Sequence, residues 1–399
     1  VWAPRATAVY LAGQFSGKAL WSPSPERALS KDWRGFWSGF LPGAKDGDLY
    51  KFWVVGPGGA GFKRDPYARE LGVLPKYPNS PCVLRDSEAY PWRDGKFRRC
   101  APHDLIVYQL QVGTFTGPLS LHGQGRYLDV LERLDQLLTM GVTAICLLPY
   151  TGAGPEGGSR RSGVDLFAPE PDYIVPEAEL DEYVERVGTL MQRCNHPPLT
   201  REQLTAPSHQ LKALVDVLHL HGLSVLFDVS CRCAGSSATE QDEGLWFFER
   251  MGSRDPNDST YFTDQYSHGP HFATWKREVR QLFIDQARYL VEELHVDGLR
   301  FRDVTGVLAD NPRDGWRLFQ DITTAVRHSA PGRVLYAEVS VHDSKLTRPT
   351  SSGGAGFDAV TRDELGSTLR QALADAVVGE DQPLEFEALA EALVPRVLG

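Results

Sequence analysis

The sequence predicts an α/β fold in two parts, a small β-sandwich followed by an incomplete (β/α)8-type TIM barrel. Three observations predict it. Residues 1 to about 95 carry short aromatic and β-branched runs separated by Gly and Pro clusters, the punctuation of a sandwich. From residue 103 apolar runs of strand length alternate with helical patterns, which argues for a parallel sheet with crossover helices. Two of those runs end in an acid, at Asp228 and Glu338, and a third ends at Arg302 and Asp303. Barrels of this kind build their active sites at the C-terminal ends of the strands, so polar residues there carry a functional expectation.

Taken in chain order, the sandwich runs are Val9-Tyr10-Leu11, Gly35 to Phe40 and Leu49 to Val55, with breaks such as Pro42-Gly43 and Gly56 to Gly59. Trp21 and Trp37 fall in this part. An exposed Trp on such a module stacks on sugar rings and a buried one fills the core; the core reading carries more weight for both. The sandwich is assigned residues 1–95 and the barrel 96–399. In the barrel, strands are expected at 105–110, 144–148, 224–228, 298–302 and 334–338, with a sixth near Phe357. Helices are expected at 127–140, 209–221, 275–294 and 316–328. About six strand–helix units do not close an eight-stranded barrel, so the chain is an excerpt, needs another segment, or forms an opened barrel.

Apolar residues make up 42% of the chain and charged residues 24%, ordinary for a soluble globular protein. Lys and Arg total 42 against 52 Asp and Glu, for a formal charge of −10. That balance gives no support to a nucleic-acid partner, which calls for a basic patch. No apolar run approaches the roughly 20 residues of a spanning helix, so no membrane span is expected. The chain starts at Val1 with no basic or apolar leader, which reads as a processed or excerpted segment. Of Cys82, Cys100, Cys146, Cys194, Cys231 and Cys233, only the last two are close, and a single Cys-x-Cys is a weak metal signal. Incidental thiols favour an intracellular reducing compartment, cytoplasm or organelle. No metal and no cofactor are expected, since no ligand set and no phosphate-cradling Gly motif stand out.

The segment from Val296 to Thr305 is the most informative. Side chains alternate along a strand, so residues 300 and 302 share a face and 303 points the other way. The last inward position is therefore Arg302, and the nearest carboxylate, Asp303, lies one residue late.

Several motifs in order resemble the α-amylase superfamily, glycoside hydrolase family 13, and most of all its α-1,4-glucan branching enzymes. Val1-Trp2-Ala3-Pro4 with Gly13-Gln14-Phe15-Ser16 resembles their N-terminal glycogen-binding-like, Ig-like sandwich. Tyr108 to Phe115 resembles the first barrel strand, His221 to Val229 the third, His295 to Arg300 the fourth, and Ala337-Glu338 the fifth. The resemblance implies a retaining mechanism with a nucleophile on the fourth strand and a general acid on the fifth, about 5 to 5.5 Å apart. Carried over, the general acid falls on Glu338, the structural Arg on Arg300 and the third-strand Asp on Asp228. The nucleophile position falls on Arg302.

A guanidinium offers donors and no lone pair, so it cannot attack an anomeric carbon. Other positions depart in the same direction. Arg232 and Cys233 stand where the family has a sugar-binding Asn and His, and no aromatic platform is recognisable from Ser159 to Asp165. The seventh-strand Asn-His-Asp motif is absent from the chain. With two arginines beside it, Glu338 is expected to be an ion-pair partner rather than an acid.

Three readings stay open. The favoured one is a catalytically degenerate relative, a pseudoenzyme serving as a glucan-binding or architectural module, with glycogen- or starch-like α-glucan and other protein subunits as partners. The second is an active glucan hydrolase or transferase in which a β-bulge turns Asp303 inward as a displaced nucleophile. The third is a structural interaction subunit without carbohydrate binding.

Overall fold

The structure is a computed structural model that describes residues 1–75, 79–116, 124–148, 165–234, 245, 247, 261–266, 269–340, 343–361, 363–378 and 386–393. Its N-terminal part is an antiparallel sheet in the order Lys18–Leu20, Ala8–Phe15, Leu49–Gly56, Gly59–Lys63, with Cys82–Val83 also paired to Leu49–Gly56. A hairpin of Ser30–Lys31 against Trp37–Ser38 completes the sandwich. Alternation along the strands puts Val9, Phe52 and Val54 on one face, where all three are buried, as a half-buried sheet requires.

Six parallel strands follow, hydrogen-bonded in chain order: Val107–Gln111, Ala144–Leu148, Ser224–Ser230, Gly298–Arg302, Val334–Ala337 and Ala359–Val360. They are called first to sixth below. A parallel sheet is covered on its faces, so its strands read as nearly unbroken apolar runs. The second strand buries Ala144 through Leu147, and the third is interrupted by one charge, Asp228. Gly298 starts the fourth strand because a Cβ there would meet the Val334 carbonyl at 2.6 Å. Among the described residues the first and sixth strands are not paired with each other, so the sheet has two edges.

Helices Pro207–Leu220, Arg277–Glu292 and Pro312–Ser329 make the crossovers. The last begins with Asn311 as cap and Pro312 in its first turn, both favoured at a helix start. Its buried Leu318, Phe319, Ile322 and Val326 form one helical stripe, and Phe319 packs against Phe301 and Phe357. The 127–140 pattern differs from expectation. It forms a 3-10 turn at Leu128–Arg133 and a helix only at Leu134–Thr139. The Asp129 carboxylate accepts from the Arg126 amide at 2.8 Å and the Tyr183 hydroxyl at 2.7 Å, which tightens the first turn. The sixth strand begins at Ala359, two residues beyond Phe357. No helix among the described residues is long and apolar enough to cross a membrane. All six cysteines are free thiols.

Charge pairs join the sandwich to the strand–helix part. Arg64 meets Asp165 at 3.0 Å, Tyr67 donates to Asp285 at 3.0 Å, and Arg69 pairs with Glu293. The buried Glu70 carboxylate accepts from the amide and hydroxyl of Ser208, at 2.9 and 2.6 Å, in the first turn of Pro207–Leu220. A carboxylate at a helix N-terminus satisfies amides that have no partner within the helix.

The connecting segment around residues 90–99 is held from below the sheet. His219 lies 2.9 Å from Asp94 through Nδ1 and 2.8 Å from Asp297 through Nε2, with Phe97 stacked on its ring. Both partners are carboxylates, so both ring nitrogens must donate and the ring is an imidazolium. Burial pushes its pKa down, but the two carboxylates outweigh burial and hold it at about 9. Burial also pushes Asp94 up, and bonds from His219 and His295 outweigh it and hold that carboxyl well below the usual range.

A raised histidine stabilises the fold below its unfolded pKa, about 6.5, and loses that contribution as pH rises toward the folded value. The thermal midpoint should therefore fall between pH 6.5 and 9, by the equivalent of roughly 3 kcal/mol. His219→Gln should be less stable at pH 6.5 and lack this decline, which a pair of calorimetric pH series would establish.

Candidate active site at the strand ends

Four charged side chains converge at the C-terminal ends of the third, fourth and fifth strands. In the parallel register Asp228 lies beside Arg300, Ser230 beside Arg302, and Arg300 beside Tyr336. Positions two apart share a face, so Arg300 and Arg302 both reach toward Asp228. Arg302 Nη1 donates to Asp228 Oδ2 at 3.1 Å, and Arg300 Nη1 lies 3.4 Å from both Asp228 oxygens. Arg300 Nη2 donates to Glu338 Oε2 at 2.5 Å. Glu338 follows directly on the fifth strand, and its amide donates to the Phe301 carbonyl at 2.8 Å.

Asp228 is only 2% exposed in its side chain, whereas that of Glu338 is 29% exposed. Burial is the larger influence on Asp228 and pushes its pKa up, with Arg300 and Arg302 pulling against it. Two residues missed by sequence reasoning complete the layer. The Cys146 thiol donates to Asp228 at 3.4 Å, and the Tyr336 hydroxyl donates to that sulfur at 3.8 Å. Burial pushes both groups up, out of their ordinary titration ranges. Position 146 lies inside an apolar run and 336 just before Glu338, and nothing in their spacing signals a shared layer.

A cavity of about 690 Å³ opens on this face, lined by Leu105, Val107, Gln109, Arg300, Tyr336 and Glu338. Of the neutralised quartet, two guanidiniums against two carboxylates, Arg300 and Glu338 line it and Asp228 and Arg302 do not. Retaining glycoside cleavage needs one carboxylate as nucleophile and another as acid. Asp228 has both oxygens engaged by cations and is shut from solvent, and Arg302 supplies donors only.

Asp303 turns to other work. Its backbone is left-handed, with φ +48° and ψ +43°, a conformation that Asp and Asn tolerate better than most side chains. It caps the helix Val304–Asp310 by accepting from the Gly306 amide at 3.1 Å, and it accepts from Arg232 Nη1 at 2.6 Å. The pairings of the fourth strand run without a register shift through Arg302 on one side and Phe301 on the other. The β-bulge expected by the displaced-nucleophile reading does not occur over these pairings.

Arg232 was expected beside the cleavage position. Instead it binds a second acidic group, donating through Nε and Nη2 to Asp310 at 2.8 and 3.1 Å. His271 Nδ1 lies 2.7 Å from the same Asp310, and Cys233 bridges to His271 through the backbone. Gly306 admits this pairing, because a Cβ would meet Arg232 Nη1 at 2.4 Å. Among the described residues no hydrogen bond links Arg232 or Cys233 to the Asp228 quartet. The departure from expectation has a cause: Asp303 and Asp310 flank one short helix and draw the guanidinium there. Asp310 and His271 lie 78 and 39 residues from Arg232 in sequence, too far for local pattern to connect them. The segment from Ser159 to Val164 lies outside the described residues.

Trp37 is buried, and its indole donates to the Ala3 carbonyl at 3.0 Å, which leaves no ring face for a sugar. Trp21 is half-buried and meets Phe62 edge-on at 6.3 Å, with Trp53 on the other side of Phe62 at 4.9 Å. Its partners come from strands that the aromatic runs alone could not place face to face.

Comparison with known proteins follows this geometry. Residues 1–68 match the family model of carbohydrate-binding module 48, the isoamylase N-terminal domain. Over 90% of its length the chain is 30% identical to the 1,4-alpha-glucan branching enzyme GlgB of Kitasatospora aureofaciens and covers 44% of that protein. It is 26% identical to the enzyme of the same name from Marinobacter nauticus, again over 90% of this chain and 54% of that protein. The chain thus spans about half the length of these relatives. Among solved structures, a putative alpha amylase from Salmonella typhimurium superposes with a TM-score of 0.65 at 21% identity, covering 98% of this chain and 56% of that one. A Group B Streptococcus pullulanase, solved with maltotetraose, gives 0.64 at 19% identity over 92% and 48%. These two establish the fold.

Removing the shared charge should be costly, since it leaves two guanidiniums on a neutral amide in place of a carboxylate. Asp228→Asn should lower stability by roughly 3 kcal/mol or more, as breaking a buried ion pair does. Arg302→Met should cost less, because Arg300 still neutralises Asp228. The order of their urea midpoints checks the assignment.

Proposed function

We propose, from the premise that this chain is a relative of the 1,4-alpha-glucan branching enzymes with an α-amylase-type fold, that it binds α-glucan and does not cleave it. The observation that carries the reading is the ion pair between Arg302 and Asp228. The cation occupies the position from which a family nucleophile would attack, and its charge opposes the positive charge that develops on the sugar. Glu338 serves as a partner of Arg300 rather than as a proton donor to a leaving group. Loss of a nucleophile by itself removes several orders of magnitude of rate.

Glucan binding is supported by the carbohydrate-binding module match and by the half-open aromatic face of Trp21 and Phe62. Pyranose rings carry apolar C–H faces that stack on such rings. In this reading the strand–helix part is an architectural platform that keeps the shape of a glucan-acting enzyme while the binding is done by the sandwich.

The test combines co-sedimentation with glycogen and an assay of amylose cleavage and branching. The chain should sediment with glycogen, and Trp21→Ala should weaken that affinity about tenfold, the equivalent of roughly 1.4 kcal/mol. The chain should not act on amylose, since Arg300 and Arg302 keep Asp228 sealed and Asp303 stays on its cap. Turnover by the unaltered chain that disappears in Glu338→Gln would overturn the proposal.

A further inference from the structure

The hairpin of Ser30–Lys31 and Trp37–Ser38 carries a feature that the glucan reading leaves unused. Trp33, at its tip, is 93% exposed. Single exposed apolar side chains are common and need no explanation, so the ring alone would carry nothing. What sets it apart is how firmly it is presented and what surrounds it. Asp32 Oδ1 accepts from the amides of Arg34 and Phe36, each at 2.9 Å. The Asp32 amide donates to the Phe36 carbonyl at 2.8 Å, and the Gly35 amide donates to the Asp32 carbonyl at 3.1 Å. The Trp2 indole donates to the Arg34 carbonyl at 3.1 Å, tying the same turn to the sandwich. An aromatic side chain therefore projects into water from a turn whose backbone is ordered by the amides of residues 32, 34, 35 and 36.

Polar groups stand next to that plane. The Arg34 guanidinium lies 5.9 Å from the Trp33 ring centre and 5.3 Å from that of Phe36. Its Nη2 is 3.3 Å from Glu278 Oε1, in the first turn of Arg277–Glu292. Both side chains keep contact with solvent, at 34% and 19% exposure. The grouping offers an apolar face, a fork of donors and a carboxylate acceptor. A pyranose asks for that combination: its C–H face stacks on an aromatic ring, and its hydroxyls take one donor and one acceptor at the edge.

We infer that Trp33, Arg34 and Glu278 form a second saccharide contact, made by residues other than Trp21 and Phe62, that takes a pyranose ring of an α-glucan oligosaccharide. The inference rests on the glucan-binding reading above. The site joins the sandwich to the strand–helix part, so a ring bound there touches both. An ordered turn loses little backbone freedom on binding, which suits a weak contact repeated along a polymer.

The test is a titration of the full chain with maltoheptaose, read by the chemical shifts of the indole N–H groups and by calorimetry. The Trp33 indole signal, identified by its loss in Trp33→Phe, should shift on titration. Trp33→Ala should weaken binding about fivefold to tenfold without moving the thermal midpoint, because the ring touches no core. Arg34→Met, which keeps the aliphatic stem, should weaken it less. Binding that Trp33→Ala leaves within about twofold, while Trp21→Ala reduces it, would overturn the second contact and leave the glucan reading standing. No binding by the unaltered chain would overturn both. Self-association that disappears in Trp33→Ala, with maltoheptaose binding unchanged, would mark the ring as a contact between copies and also overturn the inference.

Discussion

Asp228 lies almost wholly out of water between two guanidiniums, and much of the strand-end arrangement follows from what that burial requires. An isolated buried carboxylate is prohibitively costly, and one cation beside it reduces the cost without satisfying every lone pair. Here Arg300, Arg302 and the Cys146 thiol all turn to it. The parallel register makes this achievable, because it sets Asp228 beside Arg300 and leaves Arg302 one pleat beyond. An arginine at position 302 is therefore no stray charge in a barrel mouth. It completes the neutralisation of an acid that the third strand already carries, and Glu338 balances the remaining guanidinium.

The same accounting explains Asp303 and Arg232. A short helix that begins directly after a strand needs a cap, and Asp303 supplies it in a left-handed conformation. That geometry aims its carboxylate at Arg232, which also binds Asp310. Two ion-pair groups thus divide the strand ends between them. In the described geometry, each acid near the fourth strand is engaged by a cation or by a helix amide.

Much of this was legible in the sequence because it rests on periodicity. Unbroken apolar runs placed five parallel strands to within two residues at nearly every end, and alternation put Arg300 and Arg302 on one face. Glu338 and Asp228 could be read as partners of Arg300 since a strand end confines what they can reach. Long-range pairing was not legible. Arg232 reads as a member of the cleavage site when only its place in the family's third-strand motif is known, and the acid that captures it lies on a helix 78 residues on. Trp21 and Trp37 are equivalent by composition, yet one faces Phe62 at the sandwich surface and the other bonds Ala3 in the core. Which face of a short strand is inward depends on a pairing register that isolated aromatic runs do not specify.

Glu70 draws a further consequence. Composition changes near residue 95, where a sandwich gives way to strands and helices, and that point suggests a place to cut. The first turn of Pro207–Leu220, however, is closed by a carboxylate from the sandwich side. Excision of residues before 95 would leave that helix start without its acceptor. The composition break is therefore not an energetic break. A change in the sandwich that displaces Glu70 is felt at the first turn of Pro207–Leu220, which loses its acceptor.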